Sequence, residues 1–145
     1  MADYHGRLSP SQEMHSQDRL FSWDGNYVFK LQYDGNLVLY PSSSEGNRHT
    51  AMWSSGTVNT FGPTFVCIMQ DDGNLVLYGE RLNDQPGPGY GNVYNGPQSF
   101  GRGSYWPSGT AGNSGAYLDM QADGNLVIYT ADRRAIWATG TSTDE

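Results

Sequence analysis

The chain is predicted to be all-β with threefold pseudo-symmetry, and three observations predict it. A ten-residue phrase occurs three times, as LQYDGNLVLY at 31–40, MQDDGNLVLY at 69–78 and MQADGNLVIY at 120–129. Each phrase is followed, after a link, by a tail that opens on tryptophan: WSSGT at 53–57, WPSGT at 106–110 and WATGT at 137–141. No segment sustains a helical period, whereas β-branched and aromatic residues crowd the stretches that lead into each phrase.

The elements follow in order. Lead-ins YVFKL at 27–31, FVCIM at 65–69 and AYLDM at 116–120 each predict a first strand. A DGN turn comes next, then a second strand, a variable link and a third strand carrying Trp53, Trp106 or Trp137. This divides one domain spanning 1–145 into repeats of about 20–57, 58–110 and 111–141. The link from Tyr40 to Trp53 is 13 positions and that from Tyr129 to Trp137 is 8, but Tyr78 to Trp106 is 28. The surplus, at about 79–105, is rich in Gly, Pro and Asn and reads as an inserted loop.

Bulk composition narrows the function. A chain of 145 residues fits one domain with a real core. At 13% aromatic content it is not a disordered polymer. Net charge is −7 and no basic run exceeds Arg133-Arg134, so a nucleic-acid partner is disfavoured. No segment approaches the ~20 apolar residues that span a bilayer, so no membrane insertion is expected. The N-terminus has no apolar run of the kind a signal peptide needs. Cys67 is the only cysteine, so no intrachain disulfide forms. A cytoplasmic location is expected, with unconventional secretion left open.

Asp-Gly between alternating apolar residues is a strong hairpin signal. A three-residue loop of Asp34, Gly35 and Asn36 would set Gln32 opposite Val38, Leu31 opposite Leu39 and Lys30 opposite Tyr40. Polar partners then share one face and apolar partners the other, whereas a two-residue loop mixes them. Gln32, Val38 and Tyr40 would form a patch with Asp34 and Asn36 at its end. It offers a carboxylate acceptor, two amides, a phenolic hydroxyl and one small apolar side chain. That set suits a ligand with adjacent hydroxyls and a C–H face, which is a sugar. Gln70, Asp72, Asn74, Val76 and Tyr78 repeat it, as do Gln121, Asp123, Asn125, Val127 and Tyr129.

Taken singly, these residues are ordinary. Asp-Gly-Asn is common turn chemistry, and Gln and Tyr are common on a solvent face. A turn alone does not require Gln two before the Asp and Tyr four after the Asn, three times over. SWDGNYVFK at 22–30 makes the contrast, because Ser22 and Lys30 replace the Gln and Tyr, and it reads as a turn only. The patch has no base beside a nucleophile, and His5, His15 and His49 lie outside the repeated motifs, so no enzyme is expected. Asp71-Asp72-Gly73-Asn74 lacks the alternating ligands and the Glu of an EF-hand, so no metal or other cofactor is expected.

Over about Leu20 to Thr141, the thrice-repeated Q-x-D-x-N-x-V-x-Y resembles the monocot mannose-binding lectins, also called bulb-type or snowdrop-type. The resemblance implies a β-prism II of three four-stranded sheets, with Trp53, Trp106 and Trp137 filling the centre. It implies that Asp34 and Asn36 bind the 2-hydroxyl of mannose, Gln32 the 3-hydroxyl and Tyr40 the 4-hydroxyl, with Val38 against the ring carbons. The same roles pass to the other two sets. It implies mannose-containing glycans as partners and a homodimer formed by exchange of C-terminal strands. Gly35, Gly73 and Gly124 stand where secreted plant members usually carry a Cys in one repeat, which resembles the cytoplasmic members without the disulfide. A β-trefoil is the competing fold, but its Q-x-W signature is missing. The competing function is a protein-interaction prism with weak or lost sugar binding.

Overall fold

The computed structural model describes residues 2–58, 64–80 and 104–143, and among them lie strands and two single-turn 3₁₀ segments but no α-helix. The core of each repeat is the predicted three-strand unit. In the first it is β5 (Tyr27–Leu31), β6 (Leu37–Pro41) and β7 (Trp53–Ser54). In the second it is β8 (Thr64–Met69), β9 (Leu75–Glu80) and β10 (Ser104–Pro107). In the third it is β11 (Tyr117–Met120), β12 (Leu126–Tyr129) and β13 (Ala135–Ala138).

The outer strand of every sheet comes from the N-terminal segment, which the repeat pattern passes over. Strand β2 (Arg7–Leu8) pairs with β11, β3 (Glu13–His15) with β8, and β4 (Arg19–Phe21) with β5. Strand β1 (Asp3–His5) then lies parallel to β4. The sheets therefore run β1-β4-β5-β6-β7, β10-β9-β8-β3 and β13-β12-β11-β2, so one has five strands rather than the four expected. Leu8, Met14 and Leu20, spaced six apart, are fully buried opposite Leu118, Cys67 and Phe29. Those three partners hold the same position in their lead-ins. Each of these outer strands thus places one fully buried apolar side chain in the core, and β4 adds Phe21 against Val28 and Tyr40.

The core forms where the three sheets converge. Leu37, Leu39, Leu75, Leu77, Leu126 and Ile128 are fully buried in one cluster. Trp53, Trp106 and Trp137 pack against it and against one another, with ring centroids 5.6, 5.7 and 5.6 Å apart and planes crossed at 71–84°. Edge-to-face contact of this kind is favourable beyond the area it buries. The indoles are core residues, as the resemblance implies.

The hairpin register differs from expectation by one pair. Lys30 lies opposite Val38 and Val28 opposite Tyr40, while the Gln32 N–H bonds the Asn36 carbonyl at 3.0 Å. The loop is therefore Tyr33, Asp34 and Gly35, not Asp34 to Asn36, and Gln32 faces Asn36, not Val38. Its length of three is as predicted, so the division into faces survives: a shift of two in the pairing sum leaves side-chain parity unchanged. The physical cause is the Gly. The Gly35 N–H closes a turn on the Gln32 carbonyl at 3.0 Å, and Gly35 itself sits at φ +85°. A turn followed by a left-handed residue is the usual three-residue hairpin, and the left-handed place must fall on the Gly. In SWDGNYVFK the partners are Ser22 and Tyr27, so that loop is four residues long.

Most of the inserted segment predicted at 79–105 lies outside the described residues. At its ends, residues 79–80 continue β9 and 104–105 belong to β10, so these four positions are strand rather than loop. Cys67 is buried and unpaired. Among the described residues, no helix is long and apolar enough to cross a membrane.

Candidate functional site

The first two repeats assemble the same chain of polar groups on their hairpins, and the third assembles a variant of it. In the first, the Tyr40 hydroxyl donates to Gln32 Oε1, and Gln32 Nε2 reaches Asp34 Oδ1 at 3.2 Å. Asp34 Oδ1 also accepts the Asn36 N–H at 3.0 Å, so the carboxylate closes the turn, and its second oxygen accepts from Gln32 Nε2 at 3.4 Å. In the second, Tyr78 donates to Gln70 Oε1, Gln70 Nε2 reaches Asp72 Oδ1 at 3.1 Å, and Asp72 accepts the Asn74 N–H at 3.0 Å. In the third, Asp123 accepts the Asn125 N–H at 2.9 Å, while Gln121 turns its amide toward the Tyr129 hydroxyl and Asp119. The polar motif residues are thus linked through side chains in the first two groups, whereas in the third Gln121 and Tyr129 pair apart from Asp123 and Asn125, and Val127 is buried opposite Asp119.

The asparagines have a second role that sequence reasoning missed. Asn36 Oδ1 accepts from Ser55 Oγ, Gly56 N and Thr57 N at 3.2, 3.0 and 3.1 Å. Asn74 Oδ1 does the same with Ser108, Gly109 and Thr110, and Asn125 Oδ1 with Thr139, Gly140 and Thr141. The Thr57 hydroxyl then donates to the Gly35 carbonyl at 2.7 Å, with Thr110 and Thr141 repeating this on Gly73 and Gly124. The signal was present in the repeated Ser/Thr-Gly-Thr of the tails. The amide oxygen ties the third strand to the turn.

The five-residue groups differ in their surroundings. Val38 and Tyr40 are buried with Val28, and Val76 and Tyr78 with Val66, so this face has small apolar clusters of its own. In the second group Gln70 and Asn74 are also buried, whereas Gln32, Asn36, Gln121 and Asn125 are half-exposed. Burial pushes the Tyr78 hydroxyl up to about 12, with the Asp72 charge adding to the effect. Burial, then the charges of Asp34 and Glu45, push Tyr40 in the same direction. Asp71 accepts a hydrogen bond from the Ser11 hydroxyl, so the second carboxylate beside Asp72 is already engaged. Asp119 replaces the Lys30 and Ile68 of the other lead-ins, and burial raises its carboxyl while Arg7 and Gln121 pull it down.

The first group lines a cleft of about 400 Å³ whose far wall is Arg48, Ala51, Ser54 and Val58. Beside it, Lys30 Nζ meets Glu45 at 3.2 Å, and Arg19 bridges Glu45 at 3.1 Å and Asp3 at 2.9 Å. The second group borders a smaller cavity of about 310 Å³ with Ser11, Ile68 and Asp71. Among the described residues, no group of three or more His, Cys, Asp or Glu is placed to hold a metal ion.

Three sheets around crossed indoles, each carrying one Gln-Asp-Asn-Val-Tyr group, define a prism of the bulb-type lectin class. The chain is similar to monomeric monocot mannose-binding lectins from Gastrodia elata at 32% identity, over 94% of this chain and 98% of theirs, with a TM-score of 0.67. It is similar to the mannose-specific agglutinin of snowdrop (Galanthus nivalis) bulbs at 30% identity, over 96% and 99%, with a TM-score of 0.62; that protein was solved with methyl-α-D-mannoside. A lectin from Marasmius oreades, at 24% identity and a TM-score of 0.71 over 100% of this chain and 98% of its own, shares the fold. No protein-family model matches the chain, and no curated protein matches it in sequence. The chain belongs to the monocot mannose-binding, or bulb-type, lectin family, and its fold is the β-prism II.

Proposed function

We propose that the chain is a non-catalytic lectin that takes mannose or mannose-rich glycans at three shallow sites. The reading rests on one observation above the rest: the same five residues recur three times on equivalent hairpins, within a family whose snowdrop member was solved with a mannoside. In this reading Asp34 and Asn36 Nδ2 hold the 2-hydroxyl, Gln32 the 3-hydroxyl and Tyr40 the 4-hydroxyl, with Val38 under the ring. Asp72, Asn74, Gln70, Tyr78 and Val76, and Asp123, Asn125, Gln121, Tyr129 and Val127, take the same roles. In the first two sites the Tyr–Gln–Asp chain fixes donors and acceptors before the ligand arrives, which lowers the ordering cost.

About five hydrogen bonds at roughly 0.5–1.5 kcal/mol each, set against about 4–15 kcal/mol of lost freedom, leave a dissociation constant near ~1 mM for free mannose. Retention on mannose-agarose, with elution by free mannose but not by EDTA, is the expected result. The discriminating variant is Asp34→Asn, Asp72→Asn and Asp123→Asn together. Asn keeps an acceptor for the turn N–H at each site, so the fold holds while the carboxylate is lost. This variant should flow through the column with an unchanged circular dichroism spectrum. Undiminished retention of the triple variant would overturn the site assignment, and flow-through of the wild type would point to an interaction prism without sugar binding.

A further inference from the structure

The three groups share one motif, yet only the first repeat sends an eleven-residue link, 42–52, from its motif Tyr to its Trp strand, where Arg48 becomes part of the cleft wall. The link after Tyr129 instead closes at once, with the Thr130 N–H on the Arg134 carbonyl at 2.8 Å. The cations near the first cleft are not equivalent. Lys30 is neutralised by Glu45, and Arg19 is shared between Glu45 and Asp3. Arg48 makes no ion pair among the described residues and is exposed. The cleft is thus bipolar. Asp34, at the turn, offers acceptors to hydroxyls, while Arg48, on the link that leaves from Tyr40, offers a planar fork of donors. Arginine binds phosphate and carboxylate oxygens in bidentate fashion, and a neutral mannose has nothing that requires it.

Resting on the sugar-binding reading above, we propose that the first site prefers mannosides carrying an anionic substituent, phosphate or carboxylate, with Arg48 as the specificity-determining residue. The neutral ring would occupy the Gln32–Tyr40 group and the anion would meet Arg48. Ala51 and Val58 line the same wall and leave the Arg48 guanidinium open to an incoming anion. The preference follows from one charge on an exposed residue, so it is modest and sensitive to salt.

The test uses the full chain with Asp72→Asn and Asp123→Asn, which leaves the first site as the only intact one. Calorimetry compares methyl α-mannoside, mannose 6-phosphate, mannuronate and glucose 6-phosphate. Mannose 6-phosphate and mannuronate should each bind about threefold to tenfold more tightly than the neutral mannoside at low salt, with the gap narrowing as salt rises. Arg48→Ala should bring that ratio to about one, and Arg48→Lys should retain part of it. Glucose 6-phosphate should not share the gain, which separates recognition from plain attraction of phosphate. A ratio of one or less in the Arg48 protein overturns the inference, as does a preference that survives Arg48→Ala or is equal for glucose 6-phosphate. If the anionic mannosides bind through Arg48 and the neutral one does not, the inference stands and the neutral-mannose reading falls. If the neutral one binds and the anionic ones gain nothing, the inference falls alone. If none binds, both fall.

Discussion

Tyr78 is the residue where burial and charge act most strongly on a titrating group of the candidate sites. Its hydroxyl donates to Gln70 and is pushed from the ordinary 10.0 up to about 12, first by burial and then by the Asp72 charge. The folded state therefore favours the neutral phenol more than the unfolded state does. The sign follows: this stability is complete below pH ~10 and is lost as pH rises toward ~12. Burial raises the Cys67 thiol too and adds to stability with the same sign. Thermal midpoints should fall steeply above pH 10, and the tyrosinate absorbance difference between wild type and Tyr78→Phe should titrate near 12. A difference that titrates near 10 would show the hydroxyl to be open to water. At this scale the motif letters were legible because each must supply a particular atom. What was not legible is that the Asn side-chain oxygen serves the fold, accepting from the tail of its own repeat.

The hairpin is the element that holds these atoms. Its turns pack on the neighbouring repeat, since a Cβ on Gly35 would lie 2.4 Å from the Phe65 ring and one on Gly73 would lie 2.3 Å from the Asn113 carbonyl oxygen. Gly35 and Gly73 thus answer two demands at once, a left-handed φ and a close approach. The turn is bound to the third strand by the Asn oxygen, so the strand is held by side chains as well as by its ladder. Asn125→Ala should remove the acceptor shared by the N–H groups of Gly140 and Thr141 and the Thr139 hydroxyl, at a cost of about 0.5–1.5 kcal/mol because these groups can turn to water or to one another. The melting temperature should drop by about 2–4 °C per kcal/mol. Hydrogen exchange should rise first in β13. Unchanged protection there would mean that the ladder with β12 suffices. The loop length could be read from residue parity, but its placement could not, because one-pair shifts with the same parity bury the same side chains.

On the scale of the whole molecule, the open question is how β13 is used. In the single chain it pairs with its own β12, with Trp137 opposite Ile128 and against the other two indoles. Exchange of β13 between two chains would make the same contacts across a symmetric pair and leave no open edge on β12. Such a dimer is the proposed assembly, and it would present six motif groups to a branched glycan, raising avidity by ~10²-fold or more over one site. Light scattering should then give about twice the 16.0 kDa of one chain. A mass near 16.0 kDa at micromolar concentration would mean that each prism closes on itself, in the manner of the monomeric Gastrodia elata lectins. Removal of residues 135–145 should yield insoluble protein in either case, since β12 loses its partner and the core loses an indole.

The sequence by itself determined the class of fold, the three strand units, the central tryptophans and the composition of the three motif groups. These are periodic features, and repetition makes a local pattern stand above chance. Three things were decided only by tertiary structure. The outer strands are short, and each carries one fully buried apolar residue, Leu8, Met14 or Leu20, too sparsely spaced to show a period. The fifth strand, β1, follows from parallel pairing at the edge of β4, which leaves no periodic trace. The inequality of the three motif groups arises from what lies beside them: the link carrying Arg48, the Ser11–Asp71 contact and the Arg7–Asp119 pairing. Those neighbours are distant in sequence or outside the motif, and chain closure alone brings them into contact.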